Sequence, residues 1–249
     1  MKRIFIILIL IITTFSAIIT SAQTDLNISK PILDKLKSFG VDIEDVELVE
    51  LEPSEFKNFN DFWEEDIAYQ KKYIYLWSTF TKGYVDKLDI KVKASSTLKG
   101  YPITNILDKK IETAWVEGVR GDGMGEWFSL DIYTEKKYSP SDITLFGIIP
   151  GYIKNDKSWE ENNKIKTALL VIKTPSPSYT REPDQFAVLR LLLNDSKELQ
   201  VFKVGRYQKY NSFSQKVWLI IEDVYKGTKY SDTCISEIYL RGGCQPPSP

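Results

Sequence analysis

The chain has 249 residues with 33 basic and 34 acidic side chains, a formal net charge of −1, and no histidine. Because it lacks the excess of basic residues on which binding to a nucleic-acid backbone depends, we expect no nucleic-acid partner. The absence of histidine excludes zinc sites with imidazole ligands and nucleophiles activated by a histidine base, so a metal site would be built from oxygen ligands, which favours calcium.

The first 22 residues have the pattern of a secretory signal peptide. Lys2 and Arg3 precede the unbroken apolar run Ile4–Ile12, and small residues end the segment at Ala22. The apolar run is too short to indicate a membrane span, so we expect no span once the signal peptide is cleaved; an uncleaved N-terminal anchor is the alternative. We therefore expect an exported protein, secreted or periplasmic.

Two short helices are predicted before the β-rich part of the chain. The first begins at Ser29, a suitable N-cap, and ends before Gly40. The second covers Ser54–Tyr69, whose aromatic residues recur at helical spacing and would pack the segment on the main domain, with partner binding as the alternative. Residues 23–88 are thus expected to form an α-rich extension, with a short strand within Val41–Leu51.

From Lys72 onward the chain has the alternating apolar pattern of β-strands. Many strands with few helices favour a mainly β fold, a sandwich or jelly roll over residues 89–241, followed by a C-terminal tail at 242–249. The predicted strands are Tyr73–Phe80, Asp89–Ala94, one around Phe128–Ile132, Ile143–Ile149, Lys166–Lys173, Phe186–Leu193, Glu198–Tyr207, Lys216–Tyr225 and Ile235–Leu240.

The two cysteines, Cys234 and Cys244, suggest a disulfide because the chain is expected to be exported. A straight strand between them would separate the two residues too far for a bond. The bond requires the strand to start near Ser236 and the chain to turn back at Gly242 and Gly243. Both possibilities remain open at this point.

The stretch Ala94–Leu130 concentrates polar and aromatic side chains between two predicted strands: Asp108, Thr113, Trp115, Glu117 and Glu126. Trp115 would either lie in the core under the loops or offer a flat ring on which a sugar stacks. Glu117, Asp122 and Glu126 are closely spaced carboxylates, but a glycosidase needs two such groups across a cleft, and no matching pair stands elsewhere. We therefore expect no catalysis.

A second polar and aromatic stretch follows Pro150 and Gly151. Tyr152, Trp159 and Asn162 fall in what is predicted to be a long loop. Aromatic rings and amides of this kind suit sugar recognition, because each hydroxyl needs a hydrogen-bond partner once it loses water. They also occur in ordinary loops.

Several motifs follow one another in order: Ala94-Ser95-Ser96, Asn105–Asp108, Thr113–Gly118, Gly123–Trp127, Asn162–Lys166 and Asp223–Ile238. Together they resemble discoidin-like domains of the coagulation factor 5/8 type C class. The resemblance is greatest to the variant named after the N-terminal glycan-binding domain of streptococcal NAD glycohydrolases. It covers Asp89–Leu240, and the enzymatic domain that accompanies this variant has no room in the present chain.

The resemblance implies an eight-stranded galactose-binding-like jelly roll that binds its ligand through loops at one end. It also implies a structural calcium site, which maps to Asp108, Thr113 and Glu237. The physical chemistry agrees, because calcium takes six to eight oxygen ligands from carboxylates, hydroxyls and backbone carbonyls. The alternative is that Asp108 caps a turn and Glu237 pairs with a lysine.

These observations predict an exported, non-enzymatic module that binds carbohydrate. The expected ligand contacts are Trp115, Glu117, Glu126, Tyr152, Trp159 and Asn162. A module that binds proteins or lipid headgroups is the alternative, because the same fold presents loops to both. A glycoside hydrolase is the less favoured third possibility.

Overall fold

The computed structural model describes residues 27–54, 75–78, 88–134, 141–176, 179–205 and 214–244. The predicted signal peptide and residues 55–69 of the second predicted helix lie outside these ranges. The described helices are α1 (Lys30–Ser38), a 3₁₀ helix (Ile103–Leu107) and α2 (Asp156–Glu161). The described strands are β1 (Leu48–Leu51), β2 (Tyr75–Ser78), β3 (Leu88–Ala94), β4 (Trp115–Val116), β5 (Trp127–Thr134), β6 (Ser141–Pro150), β7 (Asn163–Thr174), β8 (Gln185–Leu192), β9 (Gln200–Lys203), β10 (Ser214–Tyr225) and β11 (Thr233–Cys244).

The strands form two layers. They belong to one hydrogen-bonded sheet that continues from one layer to the other: the first layer has the order β3-β5-β10-β7-β8-β1, and the second has the order β9-β6-β11, with β2 and β4 also paired to β11. Most pairs are antiparallel, whereas β1 runs parallel to β8. The layers meet where β7 and β11 start, because Asn163 pairs with Thr233 in parallel register. The predicted mainly β sandwich is thus confirmed.

The apolar core lies between the two layers. On β5, Phe128, Leu130 and Ile132 are buried and belong to this core, as their alternation predicted. Phe146 on β6 and Ile238 on β11 face them from the second layer and are completely buried. This core fixes where the ends of both layers, and hence the connecting loops, are placed.

The N-terminal extension covers the outer face of the first layer. Ile32 and Leu36 of α1 are each 2% exposed and pack against that face beside Trp218. The helix ends as predicted, since Gly40 adopts a φ of +89° that other residues avoid. Arg190 on β8 then donates two hydrogen bonds to Glu222 and one, of 2.9 Å, to Glu50, which ties β1 to the same face.

Strand β11 is longer than predicted and continues to Cys244. The C-terminal tail therefore does not begin at residue 242. Ten residues of strand separate Cys234 from Cys244, about 30 Å at the usual rise, whereas a disulfide needs Cα atoms within about 7 Å. Cys234 is accordingly a free, buried thiol, and its burial raises its pKa.

The loops that connect the layers at the starts of β5, β7 and β11 gather at one end of the sandwich. We call this end the loop end and define it by residues 95–102, 117–126, 151–162, 193–199 and 226–232. None of the described helices is long and apolar enough to cross a membrane.

Candidate functional site

The loop of residues 117–126 wraps around the carboxylate of Glu117. This side chain is fully buried, and its oxygens accept hydrogen bonds from Val119 N at 2.8 Å and from Thr233 N at 3.1 Å. Gly123 adopts a φ of +67°, and a Cβ there would lie 2.6 Å from Cγ of Glu117. Burial raises the pKa of Glu117, which the two N–H donors partly oppose.

A second buried side chain, Asn163 at the start of β7, bonds to two loops. Its amide nitrogen donates to Asp122 Oδ1 at 3.0 Å and to Ser231 O at 2.8 Å, while its oxygen accepts from Gly227 N at 2.8 Å. Asp122 also forms an ion pair with Lys226, and this hydrogen-bonded partner lowers the pKa of Asp122. The loops 117–126 and 226–232 are therefore held to the start of β7.

Two of the expected ligand contacts lie beneath this surface. Trp115 has no exposed area, donates its indole N–H to Ser96 O at 3.1 Å and packs edge-to-face on Phe128. Its ring therefore presents no face to a sugar, and the core-facing alternative describes its position. Glu117 is likewise fully buried with both oxygens occupied. Both expectations are corrected, because these side chains support the loops and do not line the surface.

Trp159 and Asn162 also have structural partners. Trp159 of α2 is 8% exposed, and Lys164 Nζ lies 4.8 Å from its ring centroid while pairing with Asp195 at 3.0 Å. Asn162 follows α2 and donates to Ser158 O at 2.8 Å. Trp159 is too buried to stack on a sugar, which corrects that expectation. Asn162 is half-buried and so stays partly accessible. The stretch predicted to be a long loop contains the short helix α2.

The accessible aromatic groups of the loop end include the expected Tyr152 and two that were not expected, Tyr101 and the 43% exposed Tyr230. Tyr152 is half-buried and meets Tyr101 edge-to-face, with ring centroids 5.9 Å apart. Both rings rest on the buried side chains of Ala114, Val116 and Cys234. Tyr101 was not among the expected site residues. The signal in the sequence was Gly100, the residue before Tyr101, because a glycine indicates a turn; in the structure its φ is +93°.

Glu126 is half-exposed at the start of β5. Its Oε2 accepts a hydrogen bond from Ser95 Oγ at 2.7 Å, and the same hydroxyl oxygen accepts from Trp127 N at 2.9 Å. These bonds fix the carboxylate at the edge of the loop end.

Asp108 and Thr113 lie just after the 3₁₀ helix, where Asp108 Oδ1 caps the turn by accepting a hydrogen bond from Lys110 N at 2.8 Å, and Glu237 lies near enough to interact electrostatically with Asp108. Thr113 Oγ1 lies 2.9 Å from Asp108 Oδ2 and 2.8 Å from Lys110 O. Glu237 on β11 is 1% exposed, and its Oε2 has no hydrogen-bond partner. Burial, and secondly the nearby Asp108, raises the pKa of Glu237 to about 8.

The oxygen atoms gathered here are of the type that calcium takes as ligands. Two carboxylates, a hydroxyl and backbone carbonyls are all hard oxygen ligands, and a cation between Asp108 and Glu237 would offset their mutual repulsion. The cation would also give the buried Oε2 of Glu237, which has no hydrogen-bond partner, an interaction partner. The described ranges contain no group of three or more acidic, cysteine or histidine side chains placed to hold a metal ion.

The amino-acid sequence matches the family described as NAD glycohydrolase translocation F5/8 type C domain over residues 79–241. The matched region contains the sandwich from β3 to most of β11 and every candidate site residue discussed above. No curated protein matches the chain.

Similar solved structures come from Clostridium perfringens. One is the family 32 carbohydrate-binding module of NanJ in complex with galactose, 12% identical over 61% of this chain and 93% of that one, with a TM-score of 0.41. Another contains two such modules of ZmpB with GalNAc, 10% identical over 88% of this chain and 47% of that one, with a TM-score of 0.44. A third is a module of a family 89 glycoside hydrolase with GlcNAc-α-1,4-galactose, 14% identical over 61% of this chain and 88% of that one, with a TM-score of 0.32.

Proposed function

The chain belongs to the family of NAD glycohydrolase translocation F5/8 type C domains, and from that premise we propose that it is an exported, non-catalytic module that binds glycans at its loop end. The family is one of translocation domains and not of catalytic ones. Export rests on the signal-peptide pattern of Met1–Ala22.

One observation carries the proposal: the loop end presents accessible aromatic rings on loops that are already held in place. Tyr101 and Tyr152 rest on a buried apolar floor, and Glu117 and Asn163 fix the neighbouring loops through backbone hydrogen bonds. A prearranged surface loses little conformational entropy when a ligand binds. The apolar C–H face of a pyranose packs on such a ring while its hydroxyls bond to polar groups around it.

The proposed ligand contacts are Tyr152, Tyr101 and Glu126. The tyrosines supply apolar area and phenolic hydroxyls, and Glu126 supplies an acceptor. Asn162 stays a proposed contact at the margin of the loop end, since it is half-buried and one side of its amide already bonds to Ser158. Trp115, Glu117 and Trp159 are buried beneath these groups and support the loops that carry them.

The test is a glycan array with residues 23–249 in the presence of calcium. Galactose and GalNAc are the first probes, because they are the sugars bound by two of the similar modules. We expect binding to at least one glycan, and about tenfold weaker binding for Tyr152→Ala and for Tyr101→Ala. The matched control is Tyr133→Ala, since Tyr133 is 44% exposed at the opposite end of β5. A uniformly blank array would count heavily against the proposal.

We also propose that Asp108, Thr113 and Glu237 hold a structural calcium ion. Its place beside the 3₁₀ helix would join the loop that follows β3 to strand β11. The ion would supply positive charge between two carboxylates and no catalytic chemistry. The orphaned Oε2 of buried Glu237 is the observation that supports it.

A protein partner is the second candidate, and exposed apolar side chains favour it. Leu98, Val119 and Met124 on the loop end are 36%, 38% and 59% exposed. Methionine, the most exposed of the three, is enriched in protein interfaces. Pull-down from envelope extracts in the presence of simple sugars separates the two functions, because only glycan-mediated capture is lost on competition.

A further inference from the structure

The segment that carries Tyr152 is bonded to strand β11 on both sides of this tyrosine. Before it, Gly151 N donates a hydrogen bond to Cys234 O at 2.9 Å. After it, Ile153 N donates to the hydroxyl oxygen of Ser236 at 3.1 Å, a bond that spans 83 residues of sequence. Tyr152 thus lies between two anchors, of which the first is a backbone carbonyl and the second is a single side chain.

The turn before Tyr152 has little conformational freedom of its own. Gly151 adopts a φ of +78°, and a Cβ there would lie 2.6 Å from Cγ of Lys164 and 2.8 Å from the ring of Trp159. The backbone at this glycine is therefore packed closely against neighbouring side chains. The direction in which the chain continues, and with it the position of the Tyr152 ring, then depends on the bond from Ile153 to β11.

Ser236 does not itself reach the surface of the loop end, because its exposed fraction is 0%. Its hydroxyl oxygen instead satisfies an N–H group of the segment that packs over β11. The ring of Tyr152 rests on a buried cluster that includes Cys234 of the same strand, and it meets Tyr101 with centroids 5.9 Å apart. Ser236 is therefore linked to Tyr152 through one hydrogen bond and through the strand that both contact.

We propose that Ser236 is a positioning residue, whose hydroxyl holds Ile153 and thereby keeps the Tyr152 ring in place against Tyr101. Without this acceptor the N–H group of Ile153 has to turn to water for a partner, so the segment 151–153 spends part of its time in other conformations. A ligand binds only the fraction of molecules in which the ring is in place, and its apparent affinity falls in proportion to that fraction.

The effect on ligand binding rests on the proposed function, because Tyr152 is a proposed glycan contact. The position of its ring is measured without any ligand, so the two proposals fail separately. A blank glycan array would remove the proposed ligand and leave the ring position to be measured. An unperturbed ring in Ser236→Ala would remove the role of Ser236 and leave glycan binding standing.

The ligand-free experiment is NMR spectroscopy of isotope-labelled residues 23–249 and of the Ser236→Ala variant. In the wild type we expect nuclear Overhauser effects between the rings of Tyr101 and Tyr152, and an Ile153 amide that is protected from solvent exchange. In Ser236→Ala the Ile153 amide should exchange about tenfold faster, and the contacts between the two rings should weaken. The matched control is Ser129→Ala, since Ser129 is a serine on β5 with an exposure of 1%, and it should leave both signals unchanged.

Two results would overturn the proposal: an unprotected Ile153 amide in the folded wild type, and unchanged ring contacts in Ser236→Ala. If Ser236→Ala does not fold, Ser236→Cys takes its place, because a thiol fills nearly the same space but is a weak acceptor. If neither variant folds, the Ile153 amide of the wild type decides.

A double-mutant cycle with galactose as the probe separates the role of Ser236 from a general effect on stability. Ser236→Ala should weaken binding about tenfold in the wild-type background. In the Tyr152→Ala background the same substitution should change the affinity by less than about twofold, because the ring that Ser236 holds is already absent. Equal losses in the two backgrounds would overturn the proposal. If galactose does not bind, the ring contacts decide alone.

Discussion

The ring of Phe39, just after α1, stacks on the ring of Trp218 on β10, with centroids 4.7 Å apart and planes inclined by 13°. The two residues belong to different parts of the chain, since the family match begins at residue 79. Phe39 also meets Trp127 edge-to-face at 5.4 Å. The extension is therefore joined to the sandwich by ordinary core packing.

We expect Leu36→Ala to destabilise the whole domain by about 3 kcal/mol, because Leu36 is 2% exposed between α1 and the first layer. Urea unfolding followed by tryptophan fluorescence would measure the change. Lys37→Ala, exposed on the same helix, is the control and should change stability by less than about 0.5 kcal/mol. If Leu36→Ala behaves like the control, α1 does not pack on the sandwich in solution.

We expect Gly123→Ala to be more destabilising than Gly121→Ala. Both glycines have positive φ, of +67° and +111°, so both substitutions carry backbone strain of about 1 kcal/mol or more. The new methyl group at 123 also overlaps Glu117, whereas nothing lies within 4 Å of it at 121. The difference, about 2 kcal/mol, is measured by thermal or urea unfolding. Equal losses would mean that the loop does not close on Glu117.

We expect Asn163→Asp to cost about 3 kcal/mol, because the new carboxylate has no N–H to donate and faces Asp122. The neighbouring Asn162→Asp loses a single bond to Ser158 at a half-buried position and should cost about 1 kcal/mol. Urea midpoints of the two variants give the comparison. Similar midpoints would contradict the role of Asn163 as the residue that holds two loops to the start of β7.

We expect calcium to raise the melting temperature of the purified chain, and chelator to reverse the rise. At a calcium concentration about 100 times Kd, the gain in the free energy of unfolding is about 2.7 kcal/mol. Asp108→Asn and Glu237→Gln should abolish the response, while Asp156→Asn on the exposed side of α2 should keep it. A melting temperature that calcium leaves unchanged would argue that Asp108 only caps its turn.

Much of the fold follows from local pattern. The alternation of Phe128, Leu130 and Ile132 predicted a strand with one buried face, and the strand is there. The motif series predicted the family that the sequence match confirms. Helix α2 was missed because it is only six residues long, although Asn155 supplies an N-cap that accepts from Ser158 N at 2.8 Å.

The candidate site was less predictable, for two physical reasons. A tryptophan suits a core and a binding surface equally well, so the burial of Trp115 and Trp159 depends on neighbours that only the fold brings together. The bond from Asn163 to Asp122 spans 41 residues, and that from Thr233 to Glu117 spans 116. Neither separation leaves a periodic signal in the sequence.

Strand β11 starts at the loop end with Thr233 and runs to Cys244 at the far end, with antiparallel pairing to β6 over eight residue pairs. Tension between the loop end and Cys244 would therefore act along the strand axis. In that direction the hydrogen bonds to β6 are loaded together in shear, and none is peeled open before the next. The same strand that closes the sandwich is thus oriented to transmit a pulling force through it.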